Sequence, residues 1–338
     1  MLTGNAYFQL TSDTKIVRVL NGMWQVSGAH GTIDPQAALQ DMLRYHNLGL
    51  RTWDLADHYG IAEDLIGVFR DLMQKRGSAD ELETVHAFTK WVPRPSPMTR
   101  HVVEAAVDIS RKRMQMDTLD MLQFHWWDYN DNRYMDAMKH LADLQQSGKI
   151  RHLGLTNFDT VHVNKFVEAG IPIVSNQVQY SLIDQRPDVQ MVATCQKHNI
   201  YLLTYGTLCG GLLTDKYLNT AEPAPHQLDT ASLRKYKNMI DIWGGWQLFQ
   251  QLLTTMRAIA DKHQVSIANV AVRYILQKPA VAGVIAGARL GISENRADNL
   301  TVFEFALDES DLQSIHAITA QSNDLFKQIG DCGDEYRR

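Results

Sequence analysis

Eight times along this chain a short apolar run gives way to a longer segment with helical spacing. Val17 to Trp24, Leu50 to Asp54, Glu83 to Thr89, Leu119 to Phe124, Ile150 to Leu155, Ile173 to Ser175, Ile200 to Thr204 and Val281 to Ile285 read as strands. After the first, Asp34 is placed to cap a helix that has Pro35 in its first turn. Ala38, Leu39, Met42, Leu43 and His46 share one face, and Gly49 marks the stop. Further helices are expected over Ala62 to Met73, from a Ser96 cap through Val102 to Met114, over Met135 to Gln146, Thr160 to Ala169 and Pro187 to His198. Eight strand–helix units imply an α/β fold, the (β/α)8 TIM barrel.

One spacing breaks the alternation. About 75 residues separate the seventh and eighth strands, more than a single crossover needs. Leu218 to Ile242 is polar and Pro-containing and reads as a long excursion over one barrel face. Met256 to His263 and Ser266 to Gln277 follow as helices. Beyond the eighth strand, additional helices are expected over Ser293 to Val302 and Asp308 to Ile318, and residues 328–338 read as a tail. No repeat or composition shift divides the chain, so residues 1–338 are expected to form one domain.

At 338 residues, with 45% hydrophobic and 21% charged, the chain suits a globular protein with a large core. The net charge of −5 argues against nucleic acid as a partner. Three cysteines without paired spacing point to a reducing compartment, and a cytoplasmic location is expected. The start, Met1 to Gln9, has neither the basic nor the apolar region of a signal peptide, and no apolar stretch is long enough to span a bilayer.

Barrel chemistry collects at the C-terminal ends of the strands. Asp54, Tyr59, Lys90 and His125 stand at or just past such ends. Singly they fit bland roles: a buried ion pair, a core tyrosine, a satisfied histidine. On successive strand ends they can instead form a proton-transfer site, with Lys90, held by Asp54, lowering the pKa of the Tyr59 phenol and His125 bonding a substrate oxygen. Such a site suits a carbonyl that gains a hydride, which only a cofactor can supply. Trp24, Trp91, Trp126 and Trp127 also stand at strand ends; Trp24, Trp91 and Trp126 are the expected pocket walls, and at least one of the four is expected to pack beneath the rim. Trp243 and Trp246 fit a lid, an oligomer contact or local packing. No G-x-G-x-x-G opens a helix and no H-E-x-x-H occurs, so neither a Rossmann domain nor a metal site is expected.

Several ordered motifs carry a family resemblance. They include Gly22-Met23-Trp24-Gln25, Trp53-Asp54-Leu55-Ala56-Asp57-His58-Tyr59-Gly60, Asp120-Met121-Leu122-Gln123-Phe124-His125, Gly148-Lys149-Ile150-Arg151-His152-Leu153-Gly154-Leu155-Thr156-Asn157 and Asn176-Gln177. Over nearly its whole length the chain resembles the aldo-keto reductase superfamily. The resemblance implies an oxidoreductase that uses NADPH in preference to NADH and acts on a small aldehyde, ketone or sugar-like alcohol. Tyr59 would be the general acid/base, Asp54 and Lys90 its partners, and His125 the substrate-orienting imidazole. Thr156, Asn157 and Gln177 would hold the nicotinamide carboxamide, and Tyr205 would stack on the ring. Gly206, Thr207, Leu208 and Gly210 would run beside the pyrophosphate. Gly287, Ala288, Arg289 and Asn299 would surround the adenosine, with Arg289, joined by Arg296, meeting a 2′-phosphate. Gly22, Met23 and Asp54 would also face the cofactor.

Thr156 stands where the family pattern has serine, Tyr205-Gly206-Thr207-Leu208 where it has Tyr-Ser-Pro-Leu, and Gly287 where it has lysine. These departures bear on phosphate contacts and on the choice between NADP and NAD. Two other readings stand beside the enzyme. One is a nicotinamide-binding scaffold subunit resembling potassium-channel β-subunits, for which a segment ahead of the barrel would be expected and is not read here. The other is Schiff-base chemistry at Lys90. Substrate identity, reaction direction and oligomeric state are not written in the motifs.

Overall fold

The computed structural model describes residues 2, 4–28, 31, 33–77 and 79–337, the last range without the side chains of Ala79 and Asp80. Met1 and Thr3 of the stretch read as unlike a signal peptide, and Met1 and Arg338 as the limits of the expected domain, lie outside the described residues.

Ten strands are present among these residues: β1 (Tyr7–Gln9), β2 (Lys15–Val17), β3 (Val19–Gly22), β4 (Thr52–Asp54), β5 (His86–Trp91), β6 (Leu119–His125), β7 (Ile150–Thr156), β8 (Ile173–Gln179), β9 (Tyr201–Tyr205) and β10 (Val281–Gly287). Strands β3 to β10 close in chain order into a parallel barrel, with β10 pairing back to β3. Parallel neighbours need a crossover, and helices supply it on the outside. The register lines up the C-terminal ends: Gly22 opposes Asp54, Lys90 opposes Gln123, His125 opposes Thr156, and Thr156 opposes Gln177.

The expected first strand is two strands and a turn. β2 pairs antiparallel with β1, and β3 begins after Arg18, whose guanidinium donates to the carbonyls of Leu276 (2.6 Å) and Val281 (2.9 Å). Trp24 lies outside the strand, in the 3-10 turn Trp24–Ser27. The β1–β2 hairpin floors the barrel: Leu10 and Ile16 pack against Leu20, Phe88, Met121, Leu203 and Ala282. Burying each large side chain there contributes roughly 1.5–3 kcal/mol.

Other boundaries also move. Thr99, not Ser96, caps the helix Arg100–Met114, its hydroxyl accepting from the Val102 amide. Pro93, Pro95 and Pro97 bias the residues before them away from helix. The stretch read as an excursion contains the helix Ala231–Trp243, capped by Thr230, and Met256 to His263 is the second half of the helix Gly245–His263. Trp243 is buried, and the Trp246 indole donates to the Thr220 carbonyl, so both serve local packing. The stretch read as a tail is packed: Ile329 and Cys332 are buried, and Asp331 accepts from the Thr160 amide. No helix among the described residues is long and apolar enough to cross a membrane.

Candidate active site

At the C-terminal end of the barrel, Asp54 closes β4 and Lys90 lies one residue from the end of β5. Both are buried. Lys90 Nζ donates to Asp54 Oδ2 at 2.6 Å and to the Leu55 carbonyl at 2.8 Å. The other carboxylate oxygen of Asp54 accepts from Gln123 Nε2 at 3.0 Å and from Gln177 Nε2 at 2.7 Å. A buried ion pair is tolerable only when its remaining valences are satisfied in this way. Gln123, named above only as part of a motif, is therefore part of the site's support.

Tyr59 follows in the loop after β4, and Lys90 Nζ lies 4.9 Å from the centroid of its ring. The ammonium lies over the ring and donates two of its three hydrogens to Asp54 and Leu55. The expectation that Lys90 lowers the phenol pKa is not met in this arrangement. Burial, then the charges of Asp54, Tyr336 and Asp57, push Tyr59 well above its ordinary value. Burial also lowers Lys90, an effect the Asp54 pair opposes. The phenol therefore rests protonated, the form a proton donor requires.

His125 ends β6. Its Nδ1 pairs with the Thr156 carbonyl at 2.9 Å, so Nδ1 carries the proton. Burial lowers its pKa to about 4, which keeps the ring neutral at pH 7. Nε2 is buried with no partner among the described residues, and in this tautomer it is an acceptor.

The aromatic walls differ from expectation. Trp24 packs edge-on against Tyr59 with centroids 5.0 Å apart. Trp91 and Trp126 are buried against Phe124, and the Trp126 indole donates to the Asp128 and Asp131 carbonyls. They pack behind the rim. Trp127, which is 41% exposed, stands beside His125 at 4.3 Å.

Among the residues expected to meet a cofactor, Gly22 and Met23 lie beneath the rim, and the Met23 amide donates to the Asp54 carbonyl. Thr156 Oγ1 is buried without a partner among the described residues. Asn157, in a left-handed conformation at φ 59°, accepts at Oδ1 from the Tyr205 hydroxyl at 2.8 Å. Gln177 is committed through Nε2 to Asp54 and Gln123. Gly206, Thr207, Leu208 and Gly210 form a turn against the helix Ala231–Trp243. A Cβ on Gly206 would stand 2.2 Å from the Tyr236 hydroxyl, so glycine is required there. Thr207 is buried, donating to the Tyr180 carbonyl. Leu208 and Asn299 line a small cleft with Asn269, Val272 and Asp298. Gly287 sits against Gln25, and the Ala288 amide returns to the Gly22 carbonyl. Arg289 is exposed, and its guanidinium has no partner among the described residues. Arg296, expected beside it, is instead buried on Asp41 at 2.6 Å and on Glu294 at 3.0 Å.

The C-terminal segment closes over this rim. Arg186 donates to the Asp331 carbonyl and pairs with Glu335, and Arg337 donates to the Trp126 carbonyl. Tyr336 stands 6.3 Å from both His125 and Trp127 by ring centroid, and its hydroxyl is 3.1 Å from that of Tyr205. A larger surface cleft, lined by Ile183, Arg186, Trp243 and Phe326, holds none of the expected rim residues. No cluster of three or more His, Cys, Asp or Glu side chains suited to a metal occurs among the described residues.

The profile of the Aldo/keto reductase family matches residues 18–320. L-glyceraldehyde 3-phosphate reductase of Escherichia coli (strain K12) is 26% identical over 321 residues, covering 90% of this chain and 85% of that protein. Flagellar radial spoke protein 5 of Chlamydomonas reinhardtii is 30% identical over 176 residues, which is 47% of this chain and only 33% of that protein. Among solved structures, a glycerol dehydrogenase from Gluconobacter oxydans superposes with a TM-score of 0.77 at 22% identity, covering 97% of this chain and 98% of that one.

Proposed function

The chain belongs to the aldo/keto reductase family and is an oxidoreductase, and from that premise we propose that it moves a hydride between NADP(H) and an aldehyde, ketone or sugar-like alcohol, with Tyr59 as general acid/base. The observation that carries this reading is the buried Asp54–Lys90 pair set against the Tyr59 ring, beside a neutral His125 whose Nε2 has no partner among the described residues.

The residues suit a nicotinamide dinucleotide at both ends. Thr156 Oγ1 is a buried polar atom without a partner among the described residues, where a carboxamide would be held; Leu208 and Asn299 line a cleft, and the exposed Arg289 guanidinium has no partner among the described residues. Thr156, Asn157 and Gln177 would hold the nicotinamide, Tyr205 would face its ring, and Arg289 would meet a 2′-phosphate. The bound dihydronicotinamide supplies the hydride. Tyr59 gives its phenolic proton to the substrate oxygen as the carbonyl carbon is reduced, and takes it back in the reverse direction. His125 Nε2, an acceptor, orients a substrate hydroxyl by receiving its hydrogen. Trp24 and Trp127 wall the substrate side and limit water.

Tyr59→Phe is expected to bind NADPH with near-parental affinity and to lose turnover by about 10²–10⁴-fold, the usual weight of a positioned acid. Fluorescence titration with NADPH and a turnover panel of aldehydes, ketones and polyols check this. Unchanged turnover would remove Tyr59 from the role, and a parent that binds dinucleotide without turning over any substrate would favour a scaffold.

A further inference from the structure

A chain of hydrogen bonds crosses the mouth of the barrel from one surface helix to the nicotinamide side. Lys235, on the helix Ala231–Trp243, bonds the Tyr336 hydroxyl; that hydroxyl lies 3.1 Å from the Tyr205 hydroxyl; and Tyr205 reaches Asn157 Oδ1 at 2.8 Å. Lys235 makes no ion pair among the described residues. Its ammonium rests instead against the rings of Tyr336 (4.4 Å), Tyr205 (5.3 Å) and Tyr236 (5.3 Å).

The direction follows from the Asn157 end. Asn157 presents Oδ1 to the Tyr205 hydroxyl, and a phenol has one proton, so Tyr205 is spent as a donor there. Tyr336 then donates to the Tyr205 oxygen, and the Lys235 ammonium, which can only donate, bonds the Tyr336 oxygen. With Oδ1 engaged by Tyr205, Nδ2 is the half of the amide open to a ligand. No hydrogen bond of Nδ2 occurs among the described residues, and the Asn157 backbone is itself pinned by its amide donating to the Gln177 carbonyl at 2.8 Å.

We propose that Lys235 and Tyr336 are positioning residues which, through Tyr205, fix the amide of Asn157 so that it offers a donor to the nicotinamide carboxamide. This rests on the dinucleotide reading above and deepens it. The same chain tethers the Tyr205 hydroxyl, holding the ring expected to face the nicotinamide. Neither residue touches the reacting atoms in this assignment, and both come from segments outside the barrel strands.

The test compares ligands with and without the nicotinamide on the full chain. Dissociation constants are measured for NADPH and NADH, and for 2′-phospho-ADP-ribose and ADP-ribose, which lack that ring. Tyr336→Phe and Lys235→Met should weaken binding of the better dinucleotide about tenfold, the weight of one hydrogen bond. They should leave the matching nicotinamide-free fragment within about twofold, and Lys235→Arg, which keeps a donor, should restore most of the loss. Equal loss for dinucleotide and fragment would place Lys235 on the phosphates, or make the segment a general support, and would overturn the relay. No loss for either ligand would overturn it as well. A parent protein that binds none of the four ligands would sink the dinucleotide reading itself.

Discussion

Arg289 lies in the loop after β10 and Arg296 opens the helix Arg296–Thr301 that follows, and their surroundings are opposite. Arg296 is spent on Asp41 and Glu294, whereas the Arg289 guanidinium is exposed and unpaired among the described residues. Arg289→Ser should raise the dissociation constant of NADPH about ten- to a hundredfold, the range of a hydrogen bond to a charged group, and leave that of NADH nearly unchanged. Parallel fluorescence titrations read this directly, and an equal change for both would remove Arg289 from the 2′-phosphate. At this scale the sequence is a good guide to which residue types stand at strand ends and a poor one to which way each points. Trp126 and Trp127 are adjacent, yet one is buried behind the rim and the other borders His125. Both lie past the end of β6, where the two-residue period of a strand no longer tells which way a side chain points. Protonation behaviour is likewise hidden. Lys90 near Tyr59 suggests an acidified phenol, but the ammonium's bonds run to Asp54 and Leu55, and burial prevails.

Among the elements, the contact between the helices Ala62–Arg76 and Arg100–Met114 is set by Gly67. A Cβ added there would lie 2.3 Å from the Arg113 carbonyl oxygen, a backbone atom that cannot turn aside. Gly67→Ala should force the two helices apart and destabilise the protein by about 1–3 kcal/mol, read as a lower urea midpoint with unchanged m-value. The helices flanking the strands were legible because each carries an apolar face and several have a capping side chain, as Asp34, Asp159 and Asp308 do. What escaped was short or polar. Strands of three residues, as in β1 and β2, are too brief to show alternation. The helix Ala231–Trp243 lies in a stretch that opens with proline and polar residues, and they masked its apolar face. The C-terminal segment is held by single contacts from Asp331, Cys332, Glu335, Tyr336 and Arg337, which leave no periodic trace.

For the molecule as a whole, His46, His86, His125 and His152 all have pKa values held below the ordinary histidine value, burial being the largest cause in each. An unfolded chain takes up these protons near pH 6.5, while folded His125 does not until about pH 4. Between those limits the unfolded state binds more protons, so the His125 contribution to stability falls as pH falls and levels off below about 4, where carboxylates held below their ordinary values, Asp308 and Asp311 among them, continue the decline. His125 alone contributes at most about 3 kcal/mol to that fall. Thermal melts from pH 7 to 4 should show a steady decline, shallower in His125→Gln; an identical slope in that variant would mean His125 is protonated earlier than its burial implies. The two poles of the barrel also differ in what they can carry. The β1–β2 hairpin seals one pole, far from the rim, and Arg337 ends beside Trp126 at the other. A purification handle or fluorescent fusion joined ahead of residue 4 emerges on the sealed side and leaves entry unimpeded. The same appendage joined at the far end of the chain would follow Tyr336 and Arg337, which pack on the rim, and kinetics measured with it are expected to describe the obstruction.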